Sequence, residues 1–215
     1  KFRNAKTTLN MRDGEIDLNK YIAQFFGGQI SGDVSIKNTQ GTGLVQGSFF
    51  AENISANLLS EYYGKPQLVD GNIRANGTFD ANGKSTKALI NSLSGSGIVE
   101  LEDGVVYGIS TSGLAELLKT ADGEGFEINQ SNVNPIIQEQ FLKGQMNLAK
   151  HSAAYSLTRG RVQIRNLASE GAGYNAIFNS TVSLLDGTSD TKLQMSIDPG
   201  KEKVAGAASD FRVSW

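Results

Sequence analysis

The chain has 215 residues, 25 of them glycine, with one histidine, no cysteine and a formal net charge of −2. That length can bury a sizeable core in one mainly β domain, read here as a single unit over residues 1–215. The missing thiols exclude disulfides, cysteine nucleophiles and thiolate zinc sites. Weak acidity without a basic tract argues against nucleic-acid partners.

The mean hydropathy is −0.27, and no apolar run approaches the roughly 18 residues of a membrane-spanning helix. The sequence opens at Lys1 without an initiator methionine or a signal-like segment. It is therefore expected to be an excised part of a longer protein, with any anchor or export signal left out.

In chain order, Ala5, Thr7, Leu9 and Met11 alternate as a first strand ending at Asp13-Gly14. Tyr21, Ile22, Phe25 and Phe26 then read as a helical stripe closed by Gly27-Gly28. Ile30, Val34 and Ile36 mark a strand, Asn38 to Gly41 a turn, and Gly43 to Ala51 the return. Asn53-Ile54-Ser55 introduces a helix through Leu58, Leu59, Tyr62 and Tyr63. Asp70-Gly71 opens a strand carrying Ile73, Ala75 and Phe79, and Ser85 is placed to cap a helix with Leu89, Ile90 and Leu93.

The stretch around Asp103-Gly104 reads as a hairpin, with Val99 and Leu101 on one arm and Val105, Tyr107 and Ile109 on the other. Ser110, Thr111 and Ser112 can cap a following helix through Leu114, Leu117 and Leu118, and Asp122 to Gly125 is a loop. Asn134-Pro135 is expected to start a short helix through Ile136, Ile137 and Phe141. From about Ala153 the pattern is β to the end. Tyr155 and Leu157 face Val162 and Ile164 across Arg159-Gly160, and Gly171 to Gly173 breaks the next connection. Ala176, Phe178, Val182 and Leu184 then share one parity, as do Leu193, Met195 and Ile197, and Phe211, Val213 and Trp215 finish the chain.

The fold class expected is mainly β (α+β): a long curved antiparallel sheet forming a groove, with short amphipathic helices packed at strand ends. Catalytic signatures are missing. His151 lies in a polar stretch that reads as an exposed loop, and no Gly-x-Ser-x-Gly elbow occurs. The Asp-Gly pairs at 13, 70, 103, 122 and 186 lack the spaced ligands of a calcium loop and read as turns. Gly95-Ser96-Gly97 and Gly41-Thr42-Gly43 sit among strands, without the strand-glycine-helix context of a phosphate loop. Glu100 and Glu102 read as a solvated strand face. The expectation is a non-enzymatic chain with no cofactor and no metal.

The apolar parity of the strands is the remaining signal, because the helices are too few and too short to cover every strand. Part of the apolar face should stay open as a groove. Parity selects its lining candidates as Ile73, Phe79, Val99, Leu101, Val105, Ile109 and Val162, followed by Ile164, Phe178, Val182, Leu184, Leu193, Met195 and Ile197.

Gly83-Lys84-Ser85 with Leu89 and Leu93, then Gly95-x-Gly97, Asp103-Gly104, Gly108-Ile109 and Leu114-x-x-Leu117-Leu118, resembles the C-terminal region of the bacterial AsmA family. Tyr155-Ser156-Leu157, Gly160, Gly171-x-Gly173, and Thr181 to Leu184 through Asp190 to Leu193 are similar to that family's closing strands. The resemblance is clearest over 70–200; Ser110 stands where the family usually has an acidic residue, and Ser180 where it has glycine. It implies a Gram-negative protein tethered to the inner membrane, with membrane contact through a segment absent from this chain and its bulk in the periplasm. It further implies a long hydrophobic β-groove related to bridge-like proteins that move phospholipid towards the outer membrane. The partners expected are phospholipid or another acyl-chain lipid, and envelope proteins. Against this stands a scaffold that assists outer-membrane protein assembly through exposed strand edges.

Overall fold

The computed structural model describes residues 2–62, 64, 67, 69–148, 150–171, 174–197 and 210–214. Of the residues singled out above, Tyr63, Gly173 and Trp215 lie outside this set.

The chain forms one open antiparallel sheet. Its first half comprises β1 (Arg3–Arg12), β2 (Glu15–Phe25), β3 (Gly28–Thr39), β4 (Thr42–Ser55), β5 (Val69–Gly83) and β6 (Ser94–Tyr107). The second half comprises β7 (Gln145–Leu148), β8 (His151–Thr158), β9 (Arg161–Gly171), β10 (Tyr174–Ser183), β11 (Ser189–Ile197) and β12 (Asp210–Ser214). The strands lie in sequence order, except that β7 and β8 both pair with β6, at different ends of that long strand. Helix α1 (Ala56–Tyr62) follows β4, and α2 (Thr86–Ser92) joins β5 to β6. Between β6 and β7 lie α3 (Thr111–Ala121), α4 (Gln130–Ile136) and a π-helical turn over Ile137–Phe141. This is the mainly β architecture with helices at strand ends that the alternation implies.

The caps hold where expected. Ser85 Oγ accepts from Ala88 N at 3.2 Å at the start of α2, and Ser110 Oγ accepts from Gly113 N at 2.9 Å at the start of α3. Ser55 Oγ does the same for Leu58 N at 3.2 Å.

Four local expectations are corrected, two of them at strand bulges. Tyr21 to Phe25 is strand rather than helix, and Phe26 lies in the turn that follows. Lys20 has φ +51°, and the register jumps from Leu18↔Val34 to Tyr21↔Gly32. The bulge keeps Leu18 and Tyr21 on one face, and beyond it the run alternates, with Ala23 buried and Ile22 exposed, so the expected stripe of Tyr21, Ile22, Phe25 and Phe26 is split between faces. Asp103-Gly104 is likewise no hairpin turn, since β6 passes straight through it with Asp103 at φ +52°. Asn53 at φ +54° and Asn166 at φ +53° mark further sites of this kind in β4 and β9. Lastly, Pro135 lies inside α4, which begins earlier, where Asn129 Oδ1 accepts from Asn132 N at 3.0 Å. His151 is the first residue of β8, opposite Leu101 and half-buried, not an exposed loop residue.

The register carries one face across the sheet. Ala23 pairs with Ile30, Ile30 with Ala51, Ala51 with Ala75, Ala75 with Val99, and Val99 with Ala153. This is the apolar face. At the end nearest α3 and the π turn it closes into a core of Val106, Ile109, Met146, Leu148, Ala176, Leu193 and Met195, against which Leu117, Ile137 and Phe178 pack.

Candidate functional site: an open apolar trough

Away from that core, the same face holds a cavity of ≈ 430 Å³ between β4, β5, β6, β8 and β9. It is lined by Phe49, Ala75, Phe79, Leu93, Val99, Tyr155, Leu157, Val162, Ile164 and Leu184. Ligand cavities typically run to roughly 300–1,000 Å³, so the space is of useful size. Apart from the phenol of Tyr155, every lining side chain is hydrocarbon.

The floor depends on glycine. Phe49 pairs with Gly77, Gly77 with Gly97, and Gly97 with Tyr155, so two side-chain-free positions lie in line beside two rings. A Cβ at either Gly77 or Gly97 would overlap the Tyr155 hydroxyl. The Tyr155 ring therefore lies across both glycines, and its hydroxyl donates to Asn76 O at 3.2 Å. Burial pushes the Tyr155 phenol above its ordinary value. One row along, Phe79 crosses Gly47, where a Cβ would sit 2.9 Å from its ring. Glycine in a strand weakens it, and an aromatic laid over the gap restores packing.

One end of the trough is tied by backbone. The β8–β9 turn has Gly160 at φ +68°; Gly160 N donates to Leu93 O at 2.9 Å, and Leu184 N donates to Gly160 O at 2.9 Å. The apolar walls Leu93 and Leu184 thus come from one hydrogen-bonded corner.

Parity alone brings five of the expected residues to this cavity: Phe79, Val99, Val162, Ile164 and Leu184. Ile73 and Val182 share the face and are half-buried beside it, by pairing Ile73↔Leu101 and Val162↔Val182, whereas Leu101, also half-buried, packs against the sealed core. Ile109, Leu193 and Met195 are instead sealed in the core, Leu193 at 2% and Met195 at 0% exposure, with Phe178 packed against them. Val105 stands on the opposite face. The bulge at Asp103 reverses the alternation, so Val106 takes the apolar side. Ile197 follows the β11 alternation, and its side chain lies outside the described set.

Parity missed Phe49, Ala75, Leu93, Tyr155 and Leu157 as lining residues. For Tyr155 and Leu157 the signal existed, since they flank the same turn as Val162 and Ile164. Phe49 was masked by its neighbour Phe50, which makes parity ambiguous.

The other face carries exposed Phe50, Ile98 and Ile177 together with an ionic cluster. Lys150 Nζ lies 2.7 Å from Glu102 and 3.2 Å from Glu100, while Arg74 reaches the same carboxylates at 3.6 and 3.8 Å. The hydrogen bond from Lys150 holds the Glu102 carboxyl below the usual range. Among the described residues, no cluster of His, Asp and Glu is placed to hold a metal, and no helix is long and apolar enough to cross a membrane.

Residues 1–167 match the family model described as AsmA family. The chain belongs to the AsmA family. The match reaches back to residue 1, before the 70–200 over which the motifs were clearest, and ends at 167, so the β1–β4 hairpins belong to the AsmA region as well while the motifs from Gly171 to Leu193 lie past it. AsmA membership is consistent with a lipid-related role in the bacterial envelope. No curated protein and no solved structure matches the chain.

Proposed function

We propose that this AsmA-family chain is a non-enzymatic module that shields lipid acyl chains along its apolar face and contributes to phospholipid transport or outer-membrane lipid homeostasis, in the periplasm. The observation carrying this reading is the ≈ 430 Å³ trough whose walls are hydrocarbon and which is open to the outside. Each methylene withdrawn from water contributes about 0.8 kcal/mol, so a few carbons outweigh the net value of a hydrogen bond, about 1 kcal/mol. Val99, Val162 and Ile164 supply aliphatic wall, and the Tyr155 ring gives a smooth floor where a side chain on either glycine would obstruct it. The sealed core of Leu193 and Met195 has the different task of holding the sheet to its helices.

The test is lipid extraction and mass spectrometry of the purified chain, together with titration by a 16-carbon fatty acid. Bound phospholipid and saturable fatty-acid binding, both lost in Val162→Glu, are expected. A wild-type chain that carries no lipid and binds no fatty acid would refute the reading.

A second reading attaches to β1. All ten of its residues are exposed, and it carries Arg3, Lys6 and Arg12 with no carboxylate. Its paired neighbour alternates as Glu15-Ile16-Asp17-Leu18. A strand of similar chemistry from an envelope protein could add to the free edge. Amide protection of β1 by a peptide of that alternation, in a lipid-free chain, would favour this scaffold role.

A further inference from the structure

A second cavity, of ≈ 680 Å³, opens where β2 turns into β3 beside α1. Its wall combines Phe25, Phe26 and Tyr62 with one cation, Arg3, and one carboxylate, Glu61. Four rings run in series along it. Phe2 stacks on Phe25 at 4.7 Å, Phe25 meets Phe26 edge-on at 4.4 Å, and Phe26 meets Tyr62 at 5.2 Å. The outermost rings are well exposed, Phe2 at 60% and Tyr62 at 63%. Neither Arg3 nor Glu61 forms an ion pair among the described residues.

The turn itself is strained. Phe26 and Gly27 occupy its two central positions at φ +41° and +86°. Asn-Gly or Gly-Gly would adopt this conformation freely, whereas a bulky Phe in the left-handed region is an outlier. The neighbouring segment holds it there, since Ser55 N donates to Phe26 O at 2.9 Å. Strain kept at an exposed aromatic is a pointer to a role other than folding.

We infer that this cavity seats a zwitterionic phosphoammonium lipid headgroup. A guanidinium pairs with phosphate through charge-assisted hydrogen bonds. A quaternary ammonium is held by a carboxylate and by the faces of aromatic rings. Arg3, Glu61 and the Phe26–Tyr62 pair supply these groups on one wall. Phe25 follows Ala23 on the apolar face of β2, and the row Ala23, Ile30, Ala51, Ala75, Val99 leads across the strands to the trough. The inference thus rests on the acyl-chain reading and adds where the polar end of the lipid sits.

The test uses monomeric dihexanoyl phosphatidylcholine, dihexanoyl phosphatidylglycerol and a 16-carbon fatty acid, titrated against the 215-residue chain. The wild type should prefer the choline lipid over the glycerol lipid by about fivefold. Glu61→Gln and Tyr62→Leu should remove that preference, Tyr62→Phe should retain it, and Arg3→Gln should weaken both phospholipids. Phe26→Gly should raise thermal stability yet lower the choline preference, an opposition that a purely structural turn would not give. Equal binding of the two phospholipids by the wild type, or an unchanged preference in Glu61→Gln and Tyr62→Leu, overturns the headgroup seat. In that event saturable fatty-acid binding leaves the trough standing, whereas its absence removes both readings.

Discussion

Gly77→Ala tests the floor of the trough most directly. The new methyl group would overlap the Tyr155 hydroxyl, with Tyr155 Cζ at 3.2 Å. The ring must therefore lift, giving up its hydrogen bond to Asn76 O, worth about 0.5–1.5 kcal/mol. Overpacking of a fitted site costs a further ~1–3 kcal/mol. Against this, alanine is favoured over glycine within a strand by about 0.5–1 kcal/mol. The expected net loss is about 1–3 kcal/mol, read as a lower urea midpoint at unchanged slope. In a Tyr155→Ala background the ring is gone while Ser96 O stays 2.5 Å from the new methyl group, so Gly77→Ala should still destabilise but by less than in the wild type, a coupling that a double-mutant cycle measures. The lifted ring also enters the trough, so Gly77→Ala alone should weaken fatty-acid binding. A single variant as stable as wild type, or strict additivity with Tyr155→Ala, would refute the account of a ring seated on glycine.

Met195→Ala, at a fully buried position, should cost about 2–5 kcal/mol in chemical denaturation and leave the fatty-acid affinity of the folded fraction unchanged. Asp103→Ala places an ordinary side chain at φ +52° and should cost about 1 kcal/mol in the same assay, while Asp103→Gly should not destabilise. The Asp186 carboxyl is lowered to about 2, first by the Thr188 hydroxyl at 2.7 Å and then by its amide at 3.0 Å. A depressed folded value stabilises above the ordinary carboxyl range, and that contribution is lost as pH falls from about 4 to about 2. Asp186→Asn should therefore flatten acid titration of stability within that window and leave neutral pH little affected. Lys150→Met removes an exposed ion pair, so its destabilisation in thermal melting should be small and shrink in added salt.

Strand alternation was legible wherever it ran uninterrupted. Tyr155, Leu157, Val162 and Ile164 disclosed two paired strands and their shared face, and Ser85 disclosed a helix start through hydrogen bonding confined to four residues. The family resemblance was also carried by local glycine and aliphatic spacing, and the family match covers residues 1–167. These features depend on neighbours in the chain, which is why a linear reading reached them.

Position across the sheet was decided by tertiary structure alone. A single residue in the left-handed region, Lys20, Asn53, Asp103 or Asn166, inserts one step into a strand and reassigns faces beyond it. Non-glycine residues at such angles leave little trace in sequence, so Tyr21 to Phe26 was read as a helical stripe beside the bulge at Lys20, and Val105 was given the face that Val106 holds. Whether an apolar strand residue is sealed or open was likewise invisible, because it depends on which helix lies above it. Met195 and Ile164 read alike in sequence; helices and neighbouring strands seal one into a core, and the other lines an open trough.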